Sequence, residues 1–179
     1  MTQTQPAPAV ERTRTFSWSD PVASAALVGT RSGLDLLRAM ISGELPPPPV
    51  MQLVGMGRMT ADEGKVTVEL EPREFHYNPL GSLHGGVLAT LLDTAAGCAV
   101  HTTLPAGVGY TSVDLSVKYL RPATVDSGLL TCAGTIIQRG RRTALGEARL
   151  TDAAGRLIAH ATSTCLLFDL PAPPAASTR

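Results

Sequence analysis

The stretch that decides the fold runs from Asn78 to Gly97 and reads NPLGSLHGGVLATLLDTAAG. It begins as a polar loop rich in glycine and continues as a segment with apolar residues at helical spacing. The other side of this predicted helix is uncharged except for Asp93. Because such a helix has no ordinary solvated face, we expect it to be buried nearly all round. Its apolar residues are Val87, Leu88, Leu91, Leu92, Ala95, Ala96 and Val100.

Asp93 is the feature of this helix that points to chemistry. No Lys or Arg occurs between Arg73 and Lys118, so no basic partner is available close in sequence. An unpaired buried carboxylate costs several kcal/mol, and groups that costly are concentrated at functional sites. The alternative is that Asp93 faces a solvated groove or pairs with an arginine that is distant in sequence.

The rest of the chain divides by composition into an N-terminal extension, one domain and a tail. Residues 1–17 are polar and are expected to form a disordered arm, and the Pro- and Ala-rich residues 170–179 a disordered tail. Residues 18–48 predict a helical extension, with one helix from Pro21 to about Gly29 and another that begins at Ser32 and ends at Gly43. Residues 49–169 are expected to form the main domain.

Period-two alternation of apolar and polar residues predicts that this domain is α+β, with an antiparallel sheet of about six strands. One long helix enters after the second strand and is buried only if the sheet curls around it. Gly128, Gly134 and Gly146 are candidate positions for the bends of that curl. The predicted strands lie at about 51–60, 65–71, 112–119, 127–139, 142–152 and 156–168.

Composition excludes several classes of protein. The 179 residues carry 15 basic and 15 acidic side chains, a balance that argues against nucleic acid or an anionic membrane as the main partner. Neither a signal peptide nor a membrane-spanning run is indicated. The three cysteines have neither disulfide-like nor metal-ligand spacing, so we expect a cytoplasmic protein without a metal site.

A family resemblance emerges from three features taken together. They are the HGG sequence His84 to Gly86 that opens the helix, Asp93 eight residues after Gly85, and SVDL leading to YLRP over residues 112–122. With these features the chain resembles the hotdog-fold acyl-CoA thioesterases of the phenylacetate-degradation type, in the 4-hydroxybenzoyl-CoA thioesterase-like superfamily. The resemblance spans roughly residues 50–168 and implies a hotdog fold, with the N-terminal helices as an addition.

The resemblance implies hydrolysis of an acyl-CoA thioester without metal or cofactor, in a homodimer or dimer of dimers with active sites at the subunit interface. Asp93 is then the general base or the nucleophile, and the Gly85 N–H polarises the carbonyl. A hydroxyl that holds the attacking water comes from Ser112 or from its neighbour Thr111. The remaining implied site residues, Asn78 and His84, contact the thioester or order the loop.

The residues themselves indicate how such a site works. A helix N-terminus offers N–H donors to the oxyanion of a thioester transition state, and Gly85 and Gly86 let a substrate approach them closely. Eight residues of helix separate Gly85 from Asp93 by about 12 Å, too far for both to reach one carbon atom. A two-fold partner that runs antiparallel can supply the missing group, so we predict a composite site.

Three arginines close in sequence are candidates for binding the phosphates of CoA. Arg139, Arg141 and Arg142 cluster at a predicted hairpin and either bind CoA phosphates or form a solvated turn. The expected substrates carry aromatic or medium-chain acyl groups. The rivals are a hydratase or dehydratase that acts on acyl thioesters, and a non-catalytic acyl-CoA binding module.

Overall fold

The computed structural model describes residues 11–170, so the expectations for residues 1–10 and 171–179 lie outside the described residues. Residues 11–20 have no helix or strand. Two short helices follow, α1 (Pro21–Ala25) and α2 (Gly33–Ile41). The Asp20 and Ser32 side chains cap them by accepting from the N–H groups of Val22 and Asp35, as their cap-and-helix sequences predict.

A third helix, α3 (Pro49–Val54), replaces the first half of the strand predicted at residues 51–60. Pro49 occupies the first turn, where its missing N–H has no cost, and Gly55 ends the helix in the left-handed conformation with φ of 80°. The run of prolines therefore starts a helix, whereas the sequence analysis used it only to end α2. Strand β1 (Met56–Asp62) begins directly after Gly55.

Seven strands form one antiparallel sheet in the order β1-β2-β5-β6-β7-β3, with β4 also paired to β7. The sheet has six positions, as predicted, because β3 and β4 share one edge. The single strand predicted at residues 112–119 is wrong, since Asp114 interrupts it and accepts from the Thr164 N–H at 2.9 Å. The other strands are β2 (Lys65–Leu70), β3 (Val108–Ser112), β4 (Ser116–Tyr119), β5 (Leu130–Arg139), β6 (Thr143–Thr151) and β7 (Leu157–Asp169).

The long helix α4 (Gly85–His101) lies in the curl of the sheet, as predicted. Its Leu91, Leu92, Ala95 and Ala96 are fully buried against side chains of β2, β5, β6 and β7. Burial is not complete all round, because the side that carries Asp93, Thr94 and Cys98 is only partly covered. No helix within residues 11–170 is both long and apolar enough to cross a bilayer.

Two of the glycines predicted to bend the sheet serve a different purpose. A Cβ on Gly134 would lie 2.1 Å from the Ala95 carbonyl oxygen, and one on Gly146 would lie 3.0 Å from that of Ala96. These glycines let α4 approach the sheet, whereas the irregularities of β5 and β6 occur at Ile136–Gln138 and Leu150–Thr151. Gly128 has φ of 65° and lies before β5, outside the strand.

Candidate active site

A cavity lies in the gap between the two edges of the curled sheet. Strands β1 and β3 end the strand order on opposite sides, yet residues of both line one cavity of about 880 Å³. Helix α4 forms its floor with Asp93, Thr94 and Cys98, and α2 and α3 form a further wall. We call it the seam cavity, because the sheet fails to close there.

Asp93 lies half-buried in the floor of the seam cavity. Its Oδ1 accepts a hydrogen bond from the Ser112 hydroxyl at 3.0 Å, and this bond fixes the orientation of the carboxylate. Within residues 11–170 no Lys, Arg or His forms an ion pair with Asp93. The carboxylate is therefore held by a neutral hydroxyl and faces a cavity, as expected of a reactive acid.

The structure distinguishes between the two hydroxyls predicted near Asp93. Ser112 lines the seam cavity together with Tyr110, two residues before it on β3. Thr111 is exposed and belongs to the opposite face of the strand, because successive strand residues alternate. The hydroxyl beside Asp93 thus belongs to Ser112, and Thr111 makes no contact with this cavity.

Tyr110 and Cys98 are neighbours of Asp93 that the sequence analysis missed. Burial raises the pKa of Cys98 to about 12. The nearby Asp93 charge also raises this pKa, whereas a hydrogen bond with Tyr110 lowers it. Burial also raises the pKa of Tyr110, and the charges of Cys98, Cys165 and Asp93 act in the same direction. Both groups are neutral near pH 7, so neither supplies a thiolate or phenolate. Tyr110 is on the same face of β3 as Ser112, but this alternation alone does not distinguish it from a core tyrosine.

The start of α4 presents one open amide donor. His84 is the N-cap, and its Nδ1 accepts from the Gly86 N–H at 2.9 Å. The Gly86 amide, predicted to meet substrate, is thus occupied by the chain itself. The Gly85 N–H has no hydrogen-bond partner within residues 11–170 and remains at the positive end of the helix dipole.

Tyr119 of β4 lies over this helix start. Its hydroxyl donates to the Gly85 carbonyl at 2.8 Å, and its ring would lie 3.2 Å from a Cβ at Gly85. A side chain at this position would therefore be crowded, and the Tyr119 ring would have to shift by a few tenths of an ångström. The Tyr119 side chain is 52% exposed, so it borders the open amide without sealing it.

Asn78 orders the loop that leads into α4. Its Oδ1 accepts from the N–H groups of Leu80 at 2.9 Å and Ser82 at 3.3 Å, which is the geometry of an Asx turn. Its amide nitrogen donates to the Ser82 hydroxyl at 3.2 Å. Of the two roles considered for Asn78, these contacts correspond to ordering of the loop.

Asp93 and the helix start do not meet within one chain. Asn78, His84 and Gly85 are absent from the lining of the seam cavity, which contains Asp93 and Ser112. The helical rise from Gly85 to Asp93 is about 12 Å. The chain thus holds two half-sites, one with the acid and the other with the amide donor.

Arg139, Arg141 and Arg142 line a second cavity of about 530 Å³, the arginine cavity, together with Val108, Leu167, Phe168 and Asp169. Arg139 also donates to the Thr103 carbonyl. Since Val108 and Ser112 are the two ends of β3, about 13 Å of strand separates the arginine cavity from the acid half-site. Within residues 11–170 no cluster of three His, Cys, Asp or Glu side chains is arranged to bind a metal.

Comparison with known proteins identifies the family. The sequence profile of the Thioesterase superfamily matches residues 80–159. Human acyl-coenzyme A thioesterase 13 is 34% identical over 113 residues, which cover 61% of this chain and 79% of the human protein. The chain belongs to the thioesterase superfamily. The curled sheet around α4 is accordingly the hotdog fold that the sequence motifs predicted.

Solved structures with the same fold agree with this assignment. A putative thioesterase from Ralstonia eutropha, described as phenylacetic acid degradation-related, superposes with a TM-score of 0.66 at 30% identity. The superposition covers 72% of this chain and 97% of the Ralstonia eutropha protein. A Streptococcus mutans protein solved with bound acetyl CoA is 26% identical to this chain and superposes with a TM-score of 0.57. That superposition covers 64% of this chain and 90% of the Streptococcus mutans protein.

Proposed function

We propose that this protein hydrolyses acyl-CoA thioesters to a free acid and CoA. The observation that carries the proposal is the Asp93 carboxylate in the floor of a largely apolar cavity, oriented by Ser112 and without an ion-pair partner in residues 11–170. Such a carboxylate is free to act on a thioester whose acyl group occupies the cavity. The family assignment gives the same reaction class.

The amide donor at the start of α4 stabilises the transition state. As the thioester carbonyl is attacked, its oxygen becomes negative, and the open Gly85 N–H at the helix N-terminus binds that charge. His84 Nδ1 is an acceptor, so in the neutral ring the proton is on Nε2, which is a second donor toward the substrate. Asn78 acts indirectly, through the loop that positions both residues.

The acid and the donor come from different subunits in this proposal. A two-fold partner places its own Gly85 opposite Asp93, so a homodimer, or a dimer of dimers, has equivalent sites at the subunit interface. Asp93 then activates water as a general base or attacks the carbonyl carbon itself. Single turnover in H₂¹⁸O tests the second route, because label that enters the Asp93 carboxylate itself requires an anhydride, whereas general-base catalysis labels only the released acid.

The arginine cavity supplies a phosphate site for the CoA nucleotide. Arg139, Arg141 and Arg142 are all exposed guanidinium groups, which form strong bidentate contacts with phosphate oxygens. The cavity also contains Asp169, which partly offsets their charge. Its place at the far end of β3 leaves room for the extended arm of CoA between the phosphates and the thioester.

We also propose the division of the chain and its location. Residues 49–169 are the catalytic domain, and residues 18–48 are a helical extension that contributes α1 and α2. Cys98, Cys132 and Cys165 are all free thiols, two of them buried. Free thiols in this number are typical of a reducing compartment, which favours the cytoplasm.

Release of free CoA thiol from a panel of acyl-CoAs tests the proposed reaction. We expect Asp93→Asn to lower kcat by about 10²-fold to 10⁴-fold, because the substitution removes the base but preserves the shape of the side chain. Asp126→Asn is the matched control and should retain full activity, because Asp126 is an exposed acid that lines neither cavity.

Three results would count against this reading. Thiol release by Asp93→Asn at the wild-type rate would remove Asp93 from the reaction. Hydration of an enoyl-CoA without thiol release would indicate the hydratase instead. Binding of acyl-CoAs without turnover of any of them would indicate a binding module.

A further inference from the structure

The methionines of this chain are concentrated at the seam cavity. The sequence contains five, and four of them, Met40, Met51, Met56 and Met59, line this cavity. They come from three separate elements, α2, α3 and β1. Met51, Met56 and Met59 are close in sequence, within residues 51–59, and folding adds Met40 of α2 to the same cavity wall.

A methionine wall has a particular physical character. Methionine is unbranched and polarisable, so it fills irregular gaps and adjusts to groups of different shape, whereas branched side chains hold one shape. Met40, Met56 and Met59 are half-buried, which leaves them room to move, and Met51 is buried behind them. Such a wall suits a set of related apolar ligands better than one rigid ligand.

Apart from Asp93 in its floor, the charged groups of the seam cavity lie at its opening. Arg38, Arg58 and Asp62 are exposed, and Arg38 pairs with Asp62 at 3.6 Å. Ile41 and Val50 also line the cavity and are 42% and 43% exposed. Apolar side chains left open to solvent beside an apolar cavity are those that a bound hydrocarbon group would cover.

The helical wall is held in place at the C-terminal end of α3. Arg14 donates to the carbonyls of Gln52 at 2.8 Å and Leu53 at 2.6 Å, and His76 Nε2 bonds the Val54 carbonyl at 2.7 Å. The guanidinium of Arg14 also lies over the Phe75 ring, 4.1 Å from its centroid. Three carbonyls at the helix end are therefore satisfied, so the backbone of the wall is fixed while its methionine side chains adapt.

We propose that the seam cavity is the acyl-binding pocket and that its methionine wall gives the enzyme a broad acyl range. The accepted groups are uncharged acyl chains of medium length, linear or branched, with the thioester at Asp93 and the hydrocarbon against α2, α3 and β1. This inference rests on the proposed thioester hydrolysis and adds its substrate class. Met40 and Met59 determine how long an acyl chain fits.

Filling the pocket tests the proposal. Met40→Phe and Met59→Phe, one on α2 and one on β1, should lower kcat/KM for the longest accepted acyl-CoA at least about tenfold more than for the shortest, because each lost methylene contact changes discrimination by about 10-fold to 200-fold. Leu53→Phe is the matched control. Leu53 is on α3 but 53% exposed and outside the cavity lining, so its profile should match wild type.

Breadth is tested separately by Met40→Leu combined with Met59→Leu, which keeps the wall apolar but stiffens it. We expect the ratio of kcat/KM between linear and branched acyl-CoAs of equal carbon number to change at least about threefold, within the range that pocket contacts produce. A near-ultraviolet circular dichroism spectrum equal to wild type confirms folding. Phe variants that lower kcat/KM equally for every acyl length, or for none, would overturn the proposal.

Binding of non-hydrolysable S-alkyl-CoA thioethers keeps this result separate from the hydrolysis itself. If the protein released no thiol from any acyl-CoA, the proposed function would fail. A length-dependent change in thioether Kd in Met59→Phe, absent from Leu53→Phe, would still support the pocket. Thioether binding that is independent of alkyl length in wild type would refute the pocket whatever the enzyme hydrolyses.

Discussion

At the scale of single residues, the proposed chemistry rests on the pair formed by Asp93 and Ser112. The Ser112 hydroxyl donates to Oδ1 of Asp93, and Oδ2 has no hydrogen-bond partner in residues 11–170. One oxygen is thus used for orientation and the other is available for water or for the substrate. Loss of the hydroxyl frees the carboxylate to rotate, and small misplacements of a reacting group are costly to the rate.

We predict that Ser112→Ala lowers kcat by about 10-fold to 100-fold with little change in KM, because orientation is lost and the pocket is kept. Ser112→Thr, which retains a hydroxyl, should recover part of this loss. Steady-state thiol release measures both. The matched control is Thr111→Ala, one residue away and exposed, which should behave as wild type. Equal losses in Ser112→Ala and Thr111→Ala would contradict the assignment of the hydroxyl.

Asp93 and its surroundings differ in how far the sequence predicts them. Asp93 is visible because it is the one charge on an otherwise uncharged helix, far in sequence from any Lys or Arg. Cys98 and Tyr110 are not visible, since an apolar helix position and a strand tyrosine usually belong to a core. Only the pairing of β3 with β7 places Tyr110 over Gly97, where a Cβ would lie 3.2 Å from its hydroxyl.

At the scale of elements, the close contact between α4 and the sheet depends on missing side chains. Gly134 of β5 lies under the Ala95 carbonyl and Gly146 of β6 under that of Ala96. The helix therefore rests on two adjacent strands through backbone contacts. A methyl group at Gly134 cannot be accommodated without displacement of α4, because the obstructing atom is main-chain oxygen.

We predict that Gly134→Ala lowers the free energy of unfolding by about 1–3 kcal/mol or more, the usual cost of overpacking a tight core. Urea denaturation followed by far-ultraviolet circular dichroism measures the loss. Gly57→Ala on β1 is the control, because its new Cβ would meet the nearest atom, the Glu69 carbonyl oxygen, at an ordinary 3.6 Å. A Gly134→Ala protein as stable as Gly57→Ala would show that α4 is not held this closely.

Most elements follow from periodicity, and the exceptions have local causes. The strands from β5 to β7 lie where alternation and turn residues place them. Helix α3 was missed because six residues are too few to show a helical period. The division between β3 and β4 was missed because apolar residues alternate through it, while the break depends on hydrogen bonds from β7 to Asp114 that sequence does not display.

At the scale of the whole molecule, the separation of the two half-sites is the main organising fact. Asp93 lies in the seam cavity and the open Gly85 amide lies at the start of the same helix, about 12 Å away. That distance follows from sequence spacing alone, so the separation of the two half-sites, on which the proposed shared site rests, was predictable. The geometry of the pairing was not, since it depends on surfaces that form only after folding.

We predict that inactive Asp93→Ala and inactive Gly85→Pro subunits regain activity when refolded together. Proline fits the first position of a helix, so Gly85→Pro removes the amide donor with little cost to the helix. Random association yields half mixed dimers, each with one intact site, so about a quarter of wild-type activity should return. Each variant refolded alone is the control. Mixed dimers that form, by mass spectrometry, but remain inactive would refute the shared site.

The wall built by α2 and α3 is contiguous in sequence and precedes the first strand of the sheet. Its exchange for a segment of different length or composition would disturb none of the strand pairings and neither half of the reactive centre. In evolution, substrate preference can therefore drift through changes upstream of residue 55 while the chemistry is inherited unaltered. Homologues that keep Asp93 and Gly85 but differ in the segment before residue 55 should then accept different acyl groups and share one mechanism.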